Sequence, residues 1–383
     1  MKLAKIAPLR SVQPSGGRLV FIDLLRAFAI LMMLQGHFVD VTLSDSARDL
    51  SHPVYALWLF MRGLTAPVFF SITGLVFAYL LLRDGRPAQE NIRWQKGVRR
   101  GGMLVVLGTL LKINVFVLLA GFLPAWYYSL DVLHCIGIGL LGVCGLYVIA
   151  QEMRIKLWPL FLTLGTAIFL LEPVRMGIDW STWPTIIANF WTRDFGSQFT
   201  IFPWLGYVFI GAAIGQLLHA RPSWAFGIRL PLVVAALGYA LCTLSGAFLM
   251  VLYQYTDWSV FKGVANYNYL FYRLGQVFIC FAIFMFVIPR IPKIPRLFTK
   301  IGTETLTIYC VHYVILYGTW SGLGISFFFK DAFSGWAAGI GAASFVAAHV
   351  LMIYHIEPIR AFVYAIPGRV ITRAKALAGT SQG

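Results

Sequence analysis

The residues best suited to chemistry lie in one stretch, Phe21 to Asp40, reading FIDLLRAFAILMMLQGHFVD. A guanidinium (Arg26), an imidazole (His37) and two carboxylates (Asp23 and Asp40) interrupt an apolar run long enough to cross a bilayer. A helix turns by about 100° per residue, so Arg26 and His37 return to nearly the same face after three turns. Asp23 and Asp40 each fall three residues outside them, on the same broad stripe. At ~1.5 Å rise per residue the Arg and the His stand roughly 16 Å apart along the axis. The fixed cation at one end can hold a phosphorylated molecule through paired hydrogen bonds. The imidazole at the other can act as a general base toward a hydroxyl or amine, with Asp40, one turn on, to orient it. Taken singly, Asp23–Arg26 reads as an interfacial ion pair and His37 as a residue near the opposite headgroup layer. Ionisable groups inside a span are costly, however, and face a bundle interior or a watery cavity. Four on one stripe read as a site.

The elements that must position this stripe follow from composition. The chain of 383 residues is 59% hydrophobic and 12% charged, with its apolar residues in long unbroken blocks. That excludes a soluble protein and defines an all-α, polytopic membrane protein. The net charge of +16 would suit nucleic acid in a soluble chain. Here Lys and Arg concentrate in alternate loops, which sets orientation and attracts anionic lipid, and no nucleic-acid partner is expected. The five cysteines (Cys135, Cys144, Cys242, Cys280 and Cys310) lie in apolar blocks without metal-type spacing and read as small core residues. The basic N-terminus lacks a small-residue cleavage site after its apolar run, so an uncleaved first span is expected.

About ten spans of ~20 residues can be placed. They run over 19–41, 54–82, 101–123, 130–150 and 157–171, then on either side of His219–Arg229, from near Asn266 to PRIPKIPR, and over 300–320 and 332–356. An even number puts both termini on one side. The loops on that side carry Arg83, Arg86, Arg93, Lys96, Arg99 and Arg100, then Arg154 and Lys156, then Arg221 and Arg229. The positive-inside rule makes it the cytoplasm. Residues 1–18 are then a cytoplasmic segment, 19–356 the membrane domain and 357–383 a basic cytoplasmic tail. No internal repeat is evident. Loop 172–198 holds Trp180, Trp183 and Trp191, which suit a membrane–water interface or a sugar ring.

Further polar residues gather in the early spans. Arg62 sits in the second, near Pro67, which can bend the helix and free a carbonyl. Lys112 and Asn114 sit in the third, and Asp131 and His134 share a face at the start of the fourth. These five are candidates for a cavity or donor site; Asp131–His134 reads equally as an interfacial pair. His312, His349 and His355 read as packing or interface residues. GIGLLG at 137–142 matches a nucleotide-binding pattern, but it lies within an apolar helix and marks close helix packing. No nucleophile elbow, phosphate loop or zinc motif occurs, so no metal is expected.

Arg26 to His37 is R-x10-H, and in this the sequence resembles membrane acyltransferases of the acyltransferase-3 type. FIDLLRAFAILMMLQGH, LTAPVFFSITGLVFAYL, DVLHCIGIGLL, IFPWLGYVFIGAAIG and IGTETLTIYCVHYVILYG resemble the related heparan-α-glucosaminide N-acetyltransferase and its bacterial relatives. The resemblance implies a multi-pass enzyme of the bacterial cytoplasmic (inner) membrane, in which oligomers are possible. Such an enzyme moves an acyl group, usually acetyl from cytoplasmic acetyl-CoA, to an extracytoplasmic sugar or glycan. It makes His37 the catalytic residue and Arg26 its basic partner. His134 stands where the resemblance leads one to expect glutamine, which implies a different substrate preference. A transporter using the same stripe for a proton- or anion-coupled path is the alternative, although the matching broken helices of repeat-built transporters are not evident.

Overall fold

The structure, a computed structural model, describes residues 20–361 except 222, 223, 225, 226 and 268. The expected segment 1–18 and all of the expected tail beyond 361 lie outside the described residues. Sixteen α-helices lie wholly within the described residues, 356–361 are helical as well, and no strand occurs among the described residues. In order they are α1 (Val20–Thr42), α2 (Pro53–Leu81), α3 (Ile92–Lys112), α4 (Val115–Leu119), α5 (Val132–Glu152), α6 (Leu157–Leu170), α7 (Glu172–Met176) and α8 (Thr185–Trp191). There follow α9 (Ile201–Ala220), α10 (Arg229–Thr256), α11 (Ser259–Tyr267), α12 (Tyr269–Val287), α13 (Arg296–Thr303), α14 (Thr305–Tyr317), α15 (Ile325–Phe329) and α16 (Gly335–Tyr354).

Seven of these helices, α1, α2, α5, α9, α10, α12 and α16, are long and apolar enough to cross a membrane. The other three expected spans coincide with α3, whose first half is basic, and with the shorter apolar helices α6 and α14. Leu43 bridges to Phe333, which sets the start of α16 beside the end of α1. The two helices also pack together, so they run antiparallel and the start of α1 lies at the same end as the close of α16.

Two expected spans take a different form. The third, expected over 101–123 behind a basic loop, begins at Ile92, because Asn91 caps it by accepting from Arg93 N (2.9 Å) and Trp94 N (3.1 Å). Arg93, Lys96, Arg99 and Arg100 are therefore helical. The same span breaks at Ile113, which is extended, and Asn114 starts α4 by accepting from Phe116 N and Val117 N. The ninth, expected over 300–320, is divided at Glu304 into α13 and α14. Loop 172–198 is also more ordered than an aromatic fringe, since it contains α7 and α8. Within it, buried Trp180 stacks on Trp191 with ring centroids 5.9 Å apart.

Small residues set the closest contacts. α2 and α9 cross backbone to backbone: a Cβ on Gly211 or Gly215 would meet the carbonyls of Ser71 or Leu75, and one on Gly74 the carbonyl of Val208. Lipid offers no hydrophobic drive for helices to associate, so such approach is what holds them. Gly137, Gly139 and Gly142 of the GIGLLG run likewise face α3 and α9, as packing glycines should.

Candidate active site

α1 has three working faces. Phe21, Ile22, Leu25 and Ala29 enter a core with residues of α2, α5, α9 and α12. Ala27, Ile30, Leu34 and Phe38 enter a second core with residues of α13, α14 and α16. The remaining stripe, Arg26, Met33, His37 and Asp40, lines a cavity of about 780 Å³. Its other walls come from α2, α3, α5, the segment Arg193–Trp204, and α14. The residues of the α1 stripe are spaced by seven, four and three, the period of one helical face. The cavity reaches from Arg26 and Arg100, at the end where the basic segments gather, to Trp126, Ser129, Arg193 and Gln198 at the other.

Arg26 donates through Nη2 to Thr305 Oγ1 at 2.9 Å, which ties the stripe to the first residue of α14. Farther along, His37 Nδ1 lies 3.4 Å from His312 Nε2 and 3.4 Å from Tyr317 Oη, both on α14. Arg62 of α2 donates from both Nε and Nη2 to Asp40 Oδ2. The arginine stem passes over Gly36, where a Cβ would stand 3.4 Å from its Cδ. Lys112, at the end of α3, donates to Ser129 O (2.6 Å) and Ser129 Oγ (2.9 Å).

Five of the nine expected site residues line this one cavity: Arg26, His37, Arg62, Lys112 and Asp131. Asp40 is there too, but in a different role. It was expected to orient His37, whereas α1 continues past it to Thr42 and its carboxylate is held by Arg62. Asp23 leaves the stripe: it is buried at the start of α1, away from the cavity lining, with its backbone against Gly302 of α13. Asn114 is the cap of α4 and also stays out of the main lining. His134, the third residue of α5, likewise stays out of the lining and belongs to the cap of its helix. Asp131 Oδ1 accepts from Leu133 N (2.9 Å) and His134 N (3.1 Å), and His134 Nδ1 turns back to the cap, 2.7 Å from Asp131 Oδ1. His134 Nε2 meets Thr109 Oγ1 at 3.0 Å. Asp131–His134 is therefore a capping box, with only its aspartate reaching the cavity.

Residues of α14 complete the site and were not singled out from sequence. Thr305, Tyr309, Tyr313 and Tyr317 recur every four residues and all line the cavity. That polar and aromatic stripe in TLTIYCVHYVILY was the available signal. His312, expected as a packing residue, is fully buried and touches His37.

A multi-pass helical membrane protein with a polar cavity between a basic end and a histidine is the class that this fold and site define. The family model described as heparan-alpha-glucosaminide N-acetyltransferase, catalytic, matches residues 18–253, more than half of the chain, and the chain belongs to that family. It is thereby placed among membrane acetyltransferases. No curated protein matches the chain. The α14 wall lies beyond the matched residues.

Proposed function

We propose that the protein takes an acetyl group from acetyl-CoA at the basic end of the cavity and transfers it to a sugar hydroxyl or amine entering from the other end. One observation carries this reading: a single cavity is lined by Arg26 and Arg100 at the basic end and, along the same face of α1, by His37. The residues fit such a donor. Two guanidiniums suit its phosphates. The ~16 Å rise between Arg26 and His37 lets an extended thioester arm lie along the stripe. His37 takes the proton of the acceptor O–H or N–H as that atom attacks the thioester carbonyl carbon. When the C–S bond breaks, His37 returns the proton to the departing thiolate, so the base is regenerated and the acetyl group is on the acceptor.

The acceptor side is the mouth bounded by Trp126, Arg193 and Gln198. Trp126 is partly exposed there and offers a ring face to a sugar. The basic segments favour an orientation with Arg26 and Arg100 toward the cytoplasm, the side from which acetyl-CoA is supplied.

Acetyl-CoA binding to purified full-length protein tests the reading. Saturable binding, weakened in Arg26→Ala and Arg100→Ala and kept in His37→Ala, is the expected outcome. Movement of a solute across proteoliposomes by protein without affinity for acetyl-CoA would instead favour a transporter.

A further inference from the structure

Arg62 of α2 brings a cation beside His37. Its stem passes over Gly36, the residue before His37, where a Cβ would stand 3.4 Å from both Cδ and Nε. Its head reaches Asp40, one turn beyond His37 on α1, and donates to Asp40 Oδ2 from Nε and Nη2. Side chains three apart on a helix have Cβ atoms about 5–6 Å apart, so guanidinium and imidazole border one part of the cavity. Both line it. The other cations of the lining are placed differently. Arg26 stands ~16 Å from His37 along the helix axis. Arg100 shares the end of Arg26, Arg193 lies at the opposite mouth, and Lys112 donates to Ser129 O and Ser129 Oγ. The third nitrogen of Arg62 is uncommitted. Nη1 makes no hydrogen bond among the described residues, and it is not sealed from open space as the unpartnered Nε atoms of Arg48 and Arg273 are. Nε and Nη2 form one edge of the planar guanidinium, and Nη1 projects from the other side.

We infer that Arg62 is a catalytic residue: its Nη1–H donates to the carbonyl oxygen of the bound thioester and stabilises the oxyanion formed when the acceptor attacks. As the new bond to carbon forms, the carbonyl π pair moves onto that oxygen. When the C–S bond breaks, the pair returns to the carbonyl and the thiolate leaves. Arg62 gives up no proton; the acceptor's proton goes to His37 and then to the thiolate. A donor of this kind is effective when it is fixed before charge develops, in a site that excludes water. Asp40 and the Gly36 backbone hold the guanidinium in that way. The carboxylate also spares the empty site an unbalanced cation, which is costly inside a membrane. The inference rests on the reading of the cavity as an acetyl-CoA site, but its first test needs no turnover.

Isotope-edited infrared spectroscopy of full-length His37→Ala protein, saturated with acetyl-CoA carrying ¹³C at the carbonyl, reads the contact directly. Adding Asp40→Asn and Arg62→Gln together removes the guanidinium without leaving a lone charge. The carbonyl band should then move to higher frequency, because the bond is no longer polarised. Should that protein not fold, Arg62→Lys, which keeps the cation but has no Nη1–H, should raise the band likewise. An unmoved band with donor bound in both proteins overturns the inference and leaves the donor site standing. Failure of His37→Ala protein to bind acetyl-CoA removes the reading beneath it, and the inference with it. In acetyl transfer with His37 intact, the Asp40→Asn, Arg62→Gln protein should lose roughly 10²–10³-fold in kcat, the usual contribution of one oxyanion donor. Both KM values should change little. A raised KM for the acceptor with kcat kept would make Arg62 a binding group and overturn the catalytic role.

Discussion

Asp40 and Arg62 bring opposite charges into the cavity wall from two helices, and each is tolerable there because of the other. Removing one partner leaves a lone charge, which is costly in a membrane interior. Asp40→Asn and Arg62→Gln should therefore each lower the melting temperature by more than half of what the double variant loses. The groups are partly exposed to the cavity, so the coupling should be on the order of 1 kcal/mol, as for other solvent-reached pairs. Thermal unfolding of the four proteins in one detergent measures it, and strictly additive losses would deny the pair any stabilising role. His134 makes a second case at this scale. Glutamine at the third helical position serves a capping box as well as the histidine found here. His134→Gln should thus keep both stability and acetyl transfer, while His134→Ala should lose about 1 kcal/mol of stability. A large fall in transfer by a stable His134→Gln protein would return this residue to the chemistry. The expected change of substrate preference at this position has no structural support, since His134 stands outside the cavity lining.

Among the elements, α1 was the most legible in the sequence. Four ionisable residues in an apolar run disclosed a polar face, and three of them line the cavity. What sequence could not supply was the opposing wall. His312 sits in an apolar helix with nothing local to distinguish it from a core histidine, and only the packing of α14 on α1 brings it to His37. The Asp40–Arg62 pair was hidden for the same reason, because it joins two helices whose register is set by tertiary contacts. The local caps were missed although a signal for them was present: Asn114 and Asp131, read as cavity candidates, each precede a helix by one residue, where such side chains satisfy free N–H groups. The α2–α9 crossing offers a sharp test of packing. Gly211→Leu drives a side chain into the Ser71 carbonyl, backbone that cannot turn aside as a side chain does. Overpacking of this kind costs about 1–3 kcal/mol or more. Low yield and a lowered melting temperature are expected, and wild-type stability would mean that the helices do not approach so closely.

For the whole molecule, transfer across the bilayer requires that the two ends of the cavity belong to opposite sides of the membrane. The alternation of basic and non-basic segments predicts that arrangement, and the antiparallel run of α1 and α16 puts the start of one beside the close of the other. Cysteines introduced at Gln89 and Ser181, in a background freed of the native five, should react with an impermeant reagent from opposite sides. Labelling of both from one side would remove the transfer path across the bilayer. The most direct measurement is acetyl transfer by His37→Ala protein whose folding and acetyl-CoA binding have been verified in the same preparation. Turnover should fall by roughly 10²–10⁴-fold, the usual contribution of a positioned general base, with donor affinity retained because Arg26 and Arg100 are untouched. Near-normal transfer by that folded, donor-binding protein would contradict the mechanism.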